Sequence, residues 1–432
     1  MYNWMDRFFS LKENGTSVRR ELLAGLIGFF TVVYIIAVNS LILSESGMPI
    51  EAAIIATIGA SVFGALVMGF WGNVPILLIP GMGINALFSY TLVQAMGLTW
   101  QEALAVVFVS GAIFVAVAFT RFAKVLSAAV PHSLKEAITV GLGLFLMLLG
   151  LEKGGIVING EGSILALGSV SDPLVLSTAL TFVIAIVLFI RNVPGNFLIT
   201  IVAGTVIAFL FGMIDLSQLN EPAMSASEAF AGFGALSFTS FLTMGFWVAV
   251  FSLTMVLVFE NIGLVHGQVN FIERPEKYKR AFQATSIGSM ASGVFGTSPT
   301  VASVETLAGM AAGGRTGLTA ITTGLLFLGA AFFIPVIKLI PDSAIAPILI
   351  IIGALMLQNI KDLDMKDMSE SIPAFLIIVL IPFTYSIADG IAIGFIMYPL
   401  LKVGLGKWRE VTPALYIIAA LFLANYIFQV IG

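Results

Sequence analysis

Long apolar runs separated by short polar stretches recur along the whole chain. They lie near 22–44, 51–70, 74–96, 100–120, 133–151, 173–191, 195–214, 242–268, 279–295, 299–313, 317–337, 343–359, 372–386 and 388–404. A fifteenth run, 413–431, follows a basic loop and either spans, lies in the interface or packs at the bundle edge. Most of these runs approach the ~20 residues a helix needs to cross a hydrocarbon core. Backbone polar groups find no water at that depth, so an open chain must satisfy them internally by coiling into helices. The pattern predicts an all-α polytopic membrane protein of about fourteen transmembrane helices.

Composition agrees. Of 432 residues, 59% are hydrophobic and 10% charged, against about 25% charged in soluble domains. A mean hydropathy of +1.06 leaves more apolar surface than a water-soluble core can hide. There is no cysteine, hence no disulfide and no thiolate metal site. The His-Glu-x-x-His and phosphate-loop patterns are absent too, so neither metal catalysis nor ATP is expected, and no cofactor. A net charge of −4 argues against nucleic acid.

Loop charge orients the chain. Lys and Arg concentrate in loops facing the cytoplasm. With residues 1–21 as a cytoplasmic leader, the loops after even-numbered runs carry Arg121 and Lys124, Arg191, Arg274 to Arg280, Arg315, Lys361 and Lys366, and Lys402 to Arg409. The stretch 215–241 holds Asp215, Glu221 and Glu228 and no Lys or Arg. Lys153 and Lys338 are the two basic residues that break the rule. The reading is a multi-pass protein of the inner, cytoplasmic membrane with its N-terminus inside.

Two runs are interrupted. Pro80-Gly81-Met82-Gly83 and Gly296-Thr297-Ser298-Pro299 fall inside apolar stretches. Proline lacks a donor and glycine loosens the backbone. Unpaired backbone at membrane depth is tolerated only where protein or a wet cavity receives it. Gly97-Leu98-Thr99 and Gly317-Leu318-Thr319 repeat at an offset of 220, which also relates Asn85 to Glu305. One interrupted run is odd-numbered and the other even-numbered, the mark of an inverted repeat of seven plus seven helices. The expectation is a pair of short extended pieces. Half-helices follow them whose N-termini open a polar pocket near the midplane.

Two acids sit in this apolar setting, Glu260 and Glu305. An ionised carboxylate there costs at least ~2.5–3.5 kcal/mol on insertion scales, so each must be protonated, paired or facing water. That behaviour suits groups that take up and release a proton. Asn85 offers a donor and an acceptor beside them, a set that binds a planar heterocycle at its edge. Phe88 and Phe259 could stack on its faces. Asn39 and Asn261 read as helix–helix hydrogen bonds, Asp389 as a helix cap, and His266 as a structural or cytoplasmic-end residue.

Several stretches together resemble the azaguanine-like purine permeases of the nucleobase–cation symporter and nucleobase–ascorbate transporter group. They are Phe8 to Thr16 with Arg19-Arg20-Glu21, Tyr34 to Asn39, Pro80-Gly81-Met82-Gly83-Ile84-Asn85-Ala86, Ala312-Gly313-Gly314-Arg315-Thr316-Gly317-Leu318-Thr319 and Tyr385 to Ala392. The resemblance implies a core domain (22–120 and 242–337), a gate domain (133–214 and 343–404) and an extra hydrophobic segment, 413–431. It implies proton-coupled uptake of a purine base such as adenine, guanine or hypoxanthine by alternating access, with lipid the other partner and a homodimer left open. Asn85, Glu260 and Glu305 match the family's polar and acidic positions on segments three, eight and ten. In this reading Glu260 and Glu305 accept ring N–H donors and also couple the proton. Asn85 and Phe88 line the site, and backbone groups near Ser303 and Val304 meet the base edge. Two departures stand out. Phe259-Glu260-Asn261-Ile262-Gly263 is closer to the uracil and xanthine branch, and Asn39-Ser40 replaces the usual Asn-Pro. The alternatives are therefore a uracil- or xanthine-type transporter and an anion carrier on the same fold. A membrane-embedded enzyme lacks any nucleophile–base pair at recognisable spacing.

Overall fold

The computed structural model describes residues 2–120, 130–160, 162–217 and 225–431. Arg121, Lys124 and Glu221 lie outside the described residues. Among those described, nine helices are long and apolar enough to cross a membrane, and three shorter apolar ones accompany them, Asn196–Leu210, Met368–Thr384 and Pro413–Ile427.

In chain order the helices are α1 (Tyr2–Phe9), α2 (Val18–Val32), α3 (Ile35–Ser44) and α4 (Ile50–Val67). Strand β1 (Leu78–Pro80) leads to α5 (Met82–Ala86), which widens into a π-helix at Leu87–Ala95. Then follow α6 (Trp100–Phe119), α7 (His132–Lys153), a two-residue hairpin pair β2 (Val157–Ile158) and β3 (Ala166–Leu167), α8 (Pro173–Ile190) and α9 (Asn196–Leu210). The second part has α10 (Met244–Phe271), α11 (Tyr278–Phe295), β4 (Thr300–Ala302), α12 (Thr306–Ala311) and α13 (Gly317–Ala330). It ends with α14 (Asp342–Leu357), α15 (Met368–Thr384), α16 (Ile387–Gly404) and α17 (Pro413–Ile431).

Short polar residues start these helices as N-caps, their oxygens accepting otherwise orphaned N–H groups. Ser17 caps α2, Thr243 caps α10, Thr316 caps α13, and Thr99 with Glu102 forms a reciprocal capping box on α6. Helix α2 begins at Val18, so Arg19, Arg20 and Glu21 belong to its first turn.

Packing falls into two sets. Helices α2, α4, α6, α11 and α13 pack on one another, with α3 against α4 and α10 against α6. Helices α7, α14 and α15 form the second group, joined by α8, α9 and α16. Helices α7 and α14 approach closely because glycines face each other. A Cβ at Gly353 would lie 2.4 Å from the Gly143 carbonyl oxygen, the close approach that small residues give membrane helices. Helix α17 packs on α16 and α10.

The two interrupted runs are not single helices. Each opens with a short buried strand, and β1 pairs antiparallel with β4 in the register Leu78↔Ala302, Ile79↔Val301 and Pro80↔Thr300. The Gly81 N–H donates to Pro299 O at 3.2 Å and the Ser303 N–H to Leu77 O at 3.1 Å, extending the pairing at both ends. Backbone that leaves the helix is thus satisfied by the other break. The strands start 222 residues apart, close to the offset of 220 in the sequence echo.

Candidate functional site

The strand pair sits where α5, α10 and α12 meet. Helix α5 begins two residues after β1 and packs against α10, α7 and α3. Helix α12 begins four residues after β4. Asn85 and Phe88 are fully buried here. Among the described residues, the Asn85 amide nitrogen donates to the Met82 sulfur at 3.8 Å, and its Oδ1 has no hydrogen-bond partner. A buried amide oxygen without a donor is costly, so Asn85 is primed to accept a hydrogen bond.

Helix α10 is bound to β4 by two amides one heptad apart on one face. Asn261 Oδ1 accepts the Ala302 N–H at 3.0 Å, and Gln268 Nε2 donates to Ser303 O at 2.7 Å. The expected helix–helix role of Asn261 becomes a helix–strand role. Asn39 does join helices, donating to Thr57 on α4 at 2.7 Å, and it also holds Thr297 at 3.0 Å and Ser298 at 3.1 Å before β4. With its N–H on Leu77 and its carbonyl on Gln268, the Ser303 backbone is engaged inside the protein. Its hydroxyl donates to Glu305.

The two acids make different contacts. Glu305 accepts from the Tyr34 hydroxyl at 2.7 Å and from Ser303. Glu260 lines a cavity of about 20 Å³ with Lys135, Ile138, Thr139, Leu142 and Met356, and its Oε2 is buried without a hydrogen-bond partner. That volume suits about one water. Among the described residues no hydrogen bond or ion pair joins Glu260 to Glu305. The Phe259 ring is covered by the Lys135 ammonium, 5.1 Å from its centroid. The Val304 side chain is 54% exposed.

Other sequence assignments settle differently. Ser386, not Asp389, caps α16, and the Asp389 carboxylate accepts from Tyr426 on α17 at 2.9 Å. His266 is exposed and packs edge-on against Tyr278 at 5.7 Å. The exceptions to the charge rule are ion-paired: Lys153 with Glu45 and Asp342, Lys338 with Glu51 at 2.5 Å.

Sequence reasoning missed three residues here. Tyr34 opens one of the motifs quoted above, which was its only signal. Gln268 could have been found from its seven-residue spacing from Asn261. Glu21 is a fully buried acid whose carboxylate accepts N–H groups of Arg315 at 2.9 Å, Thr316 at 3.3 Å and Thr319 at 3.2 Å. It thereby joins two family-like motifs nearly three hundred residues apart.

Comparison with known proteins agrees with this architecture. The model of the Permease family, Xan_ur_permease, matches residues 19–393. The chain is 51% identical over 383 residues, 88% of its length, to the nucleobase transporter PlAzg2 of Paenibacillus larvae, covering 77% of that protein. It is 39% identical to the guanine/hypoxanthine permease PbuO of Bacillus subtilis, with 96% of this chain and 98% of the relative covered. To the adenine permease AdeP of Escherichia coli it is 34% identical, with 98% and 96% covered. Among solved structures, the transmembrane domain of the cyanobacterial bicarbonate transporter BicA superposes with a TM-score of 0.66 at 17% identity, over 86% of this chain and 96% of that one. Murine Slc26a9, an anion transporter in the inward-facing state, gives 0.68 at 15% identity, over 89% and 68%. With a strand pair joining two interrupted runs and a family match across most of its length, the chain belongs to the permease family, in its azaguanine-like branch, and is a membrane transporter and not an enzyme.

Proposed function

We propose that this permease takes up purine nucleobases with protons by alternating access. The observation that carries the reading is the junction itself. Asn85 and Glu260 each present a buried oxygen with no hydrogen-bond partner among the described residues; Asn85 follows β1, and Glu260 precedes Asn261, which bonds to β4. A purine carries ring N–H and amino donors along its edges and a flat apolar face. Two acceptors beside buried Phe88 fit that chemistry. The names of the relatives, which transport nucleobases, guanine and hypoxanthine, or adenine, support the class of substrate.

In this reading Glu260 takes a proton when the site is open, and protonated or base-bound Glu260 leaves no net charge to bury. The loaded site can then cross the hydrocarbon zone at lower cost than an ionised one. Glu305, held by Tyr34 and Ser303, fixes the start of α12 and presents its carboxylate toward the base. The cavity of about 20 Å³ at Glu260 is far too small for a purine, so binding requires the two helix sets to part. The first set, with α2 to α6 and α10 to α13, is the core that carries the site; the second, α7 to α9 and α14 to α16, is the gate. The fourteen-span, seven-plus-seven arrangement and a cytoplasmic N-terminus complete the proposal.

Uptake of radiolabelled adenine, guanine, hypoxanthine, xanthine and uracil, in cells stripped of their own permeases, tests it. Glu260→Gln and Glu305→Gln are expected to reduce purine uptake at least tenfold. Wild-type rates in both variants defeat the assigned roles, and uptake of uracil or xanthine alone reassigns the substrate. A second reading, anion transport, has one observation behind it, the likeness to BicA and Slc26a9. It predicts chloride or bicarbonate flux in liposomes without competition by purines. An acid at the unpartnered position speaks against it, since Glu260 repels an anion.

A further inference from the structure

The two basic exceptions to the charge rule have different surroundings, and one of them spans the two helix sets. Lys338 pairs with Glu51 at the start of α4, at the edge of the first set. Lys153, the last residue of α7, pairs with Glu45, the C-cap of α3, and with Asp342, the first residue of α14, at 3.4 Å. Glu45 belongs to the first set; Lys153 and Asp342 belong to the second. The lysine side chain is only 13% exposed, with one acid on each side of the divide.

Neighbouring groups reinforce this crossing. The Tyr90 hydroxyl donates to Glu45 Oε2 at 2.8 Å and Gln94 Nε2 to Glu45 O at 3.1 Å, so the acid is held by the π-helix after α5. Across the divide Tyr385 donates to Glu152, next to Lys153. The Phe145 ring stands edge-on between Tyr90 at 5.8 Å and Tyr385 at 5.4 Å. The Ile387 N–H at the start of α16 donates to Thr91 Oγ1 at 2.9 Å. Every one of these contacts lies at the Lys153 end of α7. At its other end, where α7 begins, the cavity beside Glu260 lies against Lys135.

Helix geometry connects the cluster to the site. Phe145, Leu149 and Lys153 share one face of α7 at four-residue spacing. Leu142 lies on that face a turn deeper, where a Cβ at Gly83 would come within 3.3 Å of it. The face beneath Lys153 therefore leads down to α5 and Asn85.

We propose that Glu45, Lys153 and Asp342 form a latch that closes this end of the base pathway, and that release of the Lys153 ammonium from Glu45 opens it. The inference rests on the alternating-access reading above. A largely buried ammonium with an acid from each set holds the sets together: without Lys153 the two carboxylates are left uncompensated, and without Glu45 the ammonium stays paired with Asp342 inside its own set. Parting the two sets moves Lys153 into water, where its charge is solvated without Glu45.

The absence of cysteine makes the test direct. Leu149→Cys places a single thiol one turn beneath Lys153, at a position only 2% exposed. Its reaction with a membrane-impermeant maleimide is followed in proteoliposomes without substrate. Lys153→Met and Glu45→Gln, each added to Leu149→Cys, are expected to speed labelling at least tenfold. The double change should add nothing further, and Lys153→Arg should keep the slow rate. Should Lys153→Met fail to assemble, as judged by gel filtration, Glu45→Gln carries the test alone. Labelling at the parent rate in the folded variants overturns the latch. This readout needs no purine, so loss of the Glu260 role leaves it untouched, whereas intact purine uptake with unchanged labelling removes the latch alone.

Discussion

Asn261 Oδ1 accepts the Ala302 N–H at 3.0 Å, so the residue beside Glu260 is bonded to the strand that leads to Glu305. Together with Gln268, this side chain ties the two acid-bearing elements to each other. The same amide donates to Leu257 O at 2.8 Å, which fixes its orientation. Asn261→Leu is expected to cost about 1–3 kcal/mol by leaving a buried N–H without an acceptor. Thermal unfolding in detergent should show a lower midpoint, and uptake should fall further than that loss of folded protein explains. A variant with wild-type stability and transport would remove Asn261 from this role.

Glu21 supplies the second prediction. Its carboxylate accepts three backbone N–H groups at the start of α13 and the Thr319 hydroxyl at 2.7 Å. A carboxylate at a helix N-terminus also meets the positive end of the helix dipole. Glu21→Ala should destabilise by roughly 2–4 kcal/mol, since hydrogen bonds to a charged acceptor are the stronger kind. Glu21→Gln should lose less, because one amide oxygen still accepts. The order Ala, Gln, wild type in apparent melting temperature checks the assignment.

The contrast between Glu21 and the interrupted runs shows what was legible in the sequence. Proline and glycine carry their backbone consequences locally, so Pro80 to Gly83 and Gly296 to Pro299 announced extended, protein-facing pieces; the strands lie beside them, at Leu78–Pro80 and Thr300–Ala302, and Met82 and Gly83 already begin the next helix. That these strands pair with each other required knowing what lies across the bundle. Glu21 stands among arginines in a polar stretch and reads as solvated; its burial depends on Thr316 and Thr319, nearly three hundred residues away. Lys153 misled in the same way, because the acids that justify it come from other helices. Asp389 was read one turn out, since Ser386 and Asp389 both suit a helix start and only the fold brings Tyr426 to the acid. Among the candidate residues, Asn85, Phe88 and Glu305 stood out by their place beside a break, and Glu260 as an acid within an uninterrupted apolar run.

The contact between α7 and α14 gives a steric prediction. A Cβ at Gly353 would sit 2.4 Å from Gly143 O and 2.6 Å from Met147 Cγ. Backbone cannot yield as a flexible side chain does, so Gly353→Ala should force the helices apart at about 1–3 kcal/mol, and Gly353→Leu at the upper end or beyond. The expected result is a lower yield of monodisperse protein after detergent extraction. Normal yield for Gly353→Leu would contradict the packing.

Asp367 gives the pH prediction, since it precedes α15 outside the apolar segment. The Ser369 hydroxyl and N–H donate to its carboxylate, and Lys407 approaches at 3.2 Å. Chiefly the Ser369 hydrogen bonds, and then Lys407, hold its pKa down at about 2, below the ordinary 3.8. A group depressed in the folded state stabilises above its unfolded pKa, and that contribution is lost as pH falls through the folded value. Between pH 4 and pH 2 the wild type should therefore lose stability that Asp367→Asn never had. Melting curves across that window should converge at the acid end, and parallel curves would refute the assignment.

Tyr34 and Ser303 hold Glu305 from two elements, α2–α3 and the segment after β4, and the last prediction follows from their different places. Tyr34 is 1% exposed and sits at the join between α2 and α3, its ring edge-on to Phe197 of α9 at 5.0 Å. Tyr34→Phe keeps that ring contact and removes only the donor to Glu305, so folding should be nearly unchanged. Ser303→Ala removes the other donor. If Glu305 must be oriented to meet the base, each variant should raise the half-saturating purine concentration by about tenfold, in line with one charge-assisted hydrogen bond of ~1.5 kcal/mol. The double variant should lose less than the product of the two, because a carboxylate freed by one change no longer depends on the other. In a Glu305→Gln background neither change should matter further. Independent, fully multiplicative losses would place Tyr34 and Ser303 outside any shared action on Glu305.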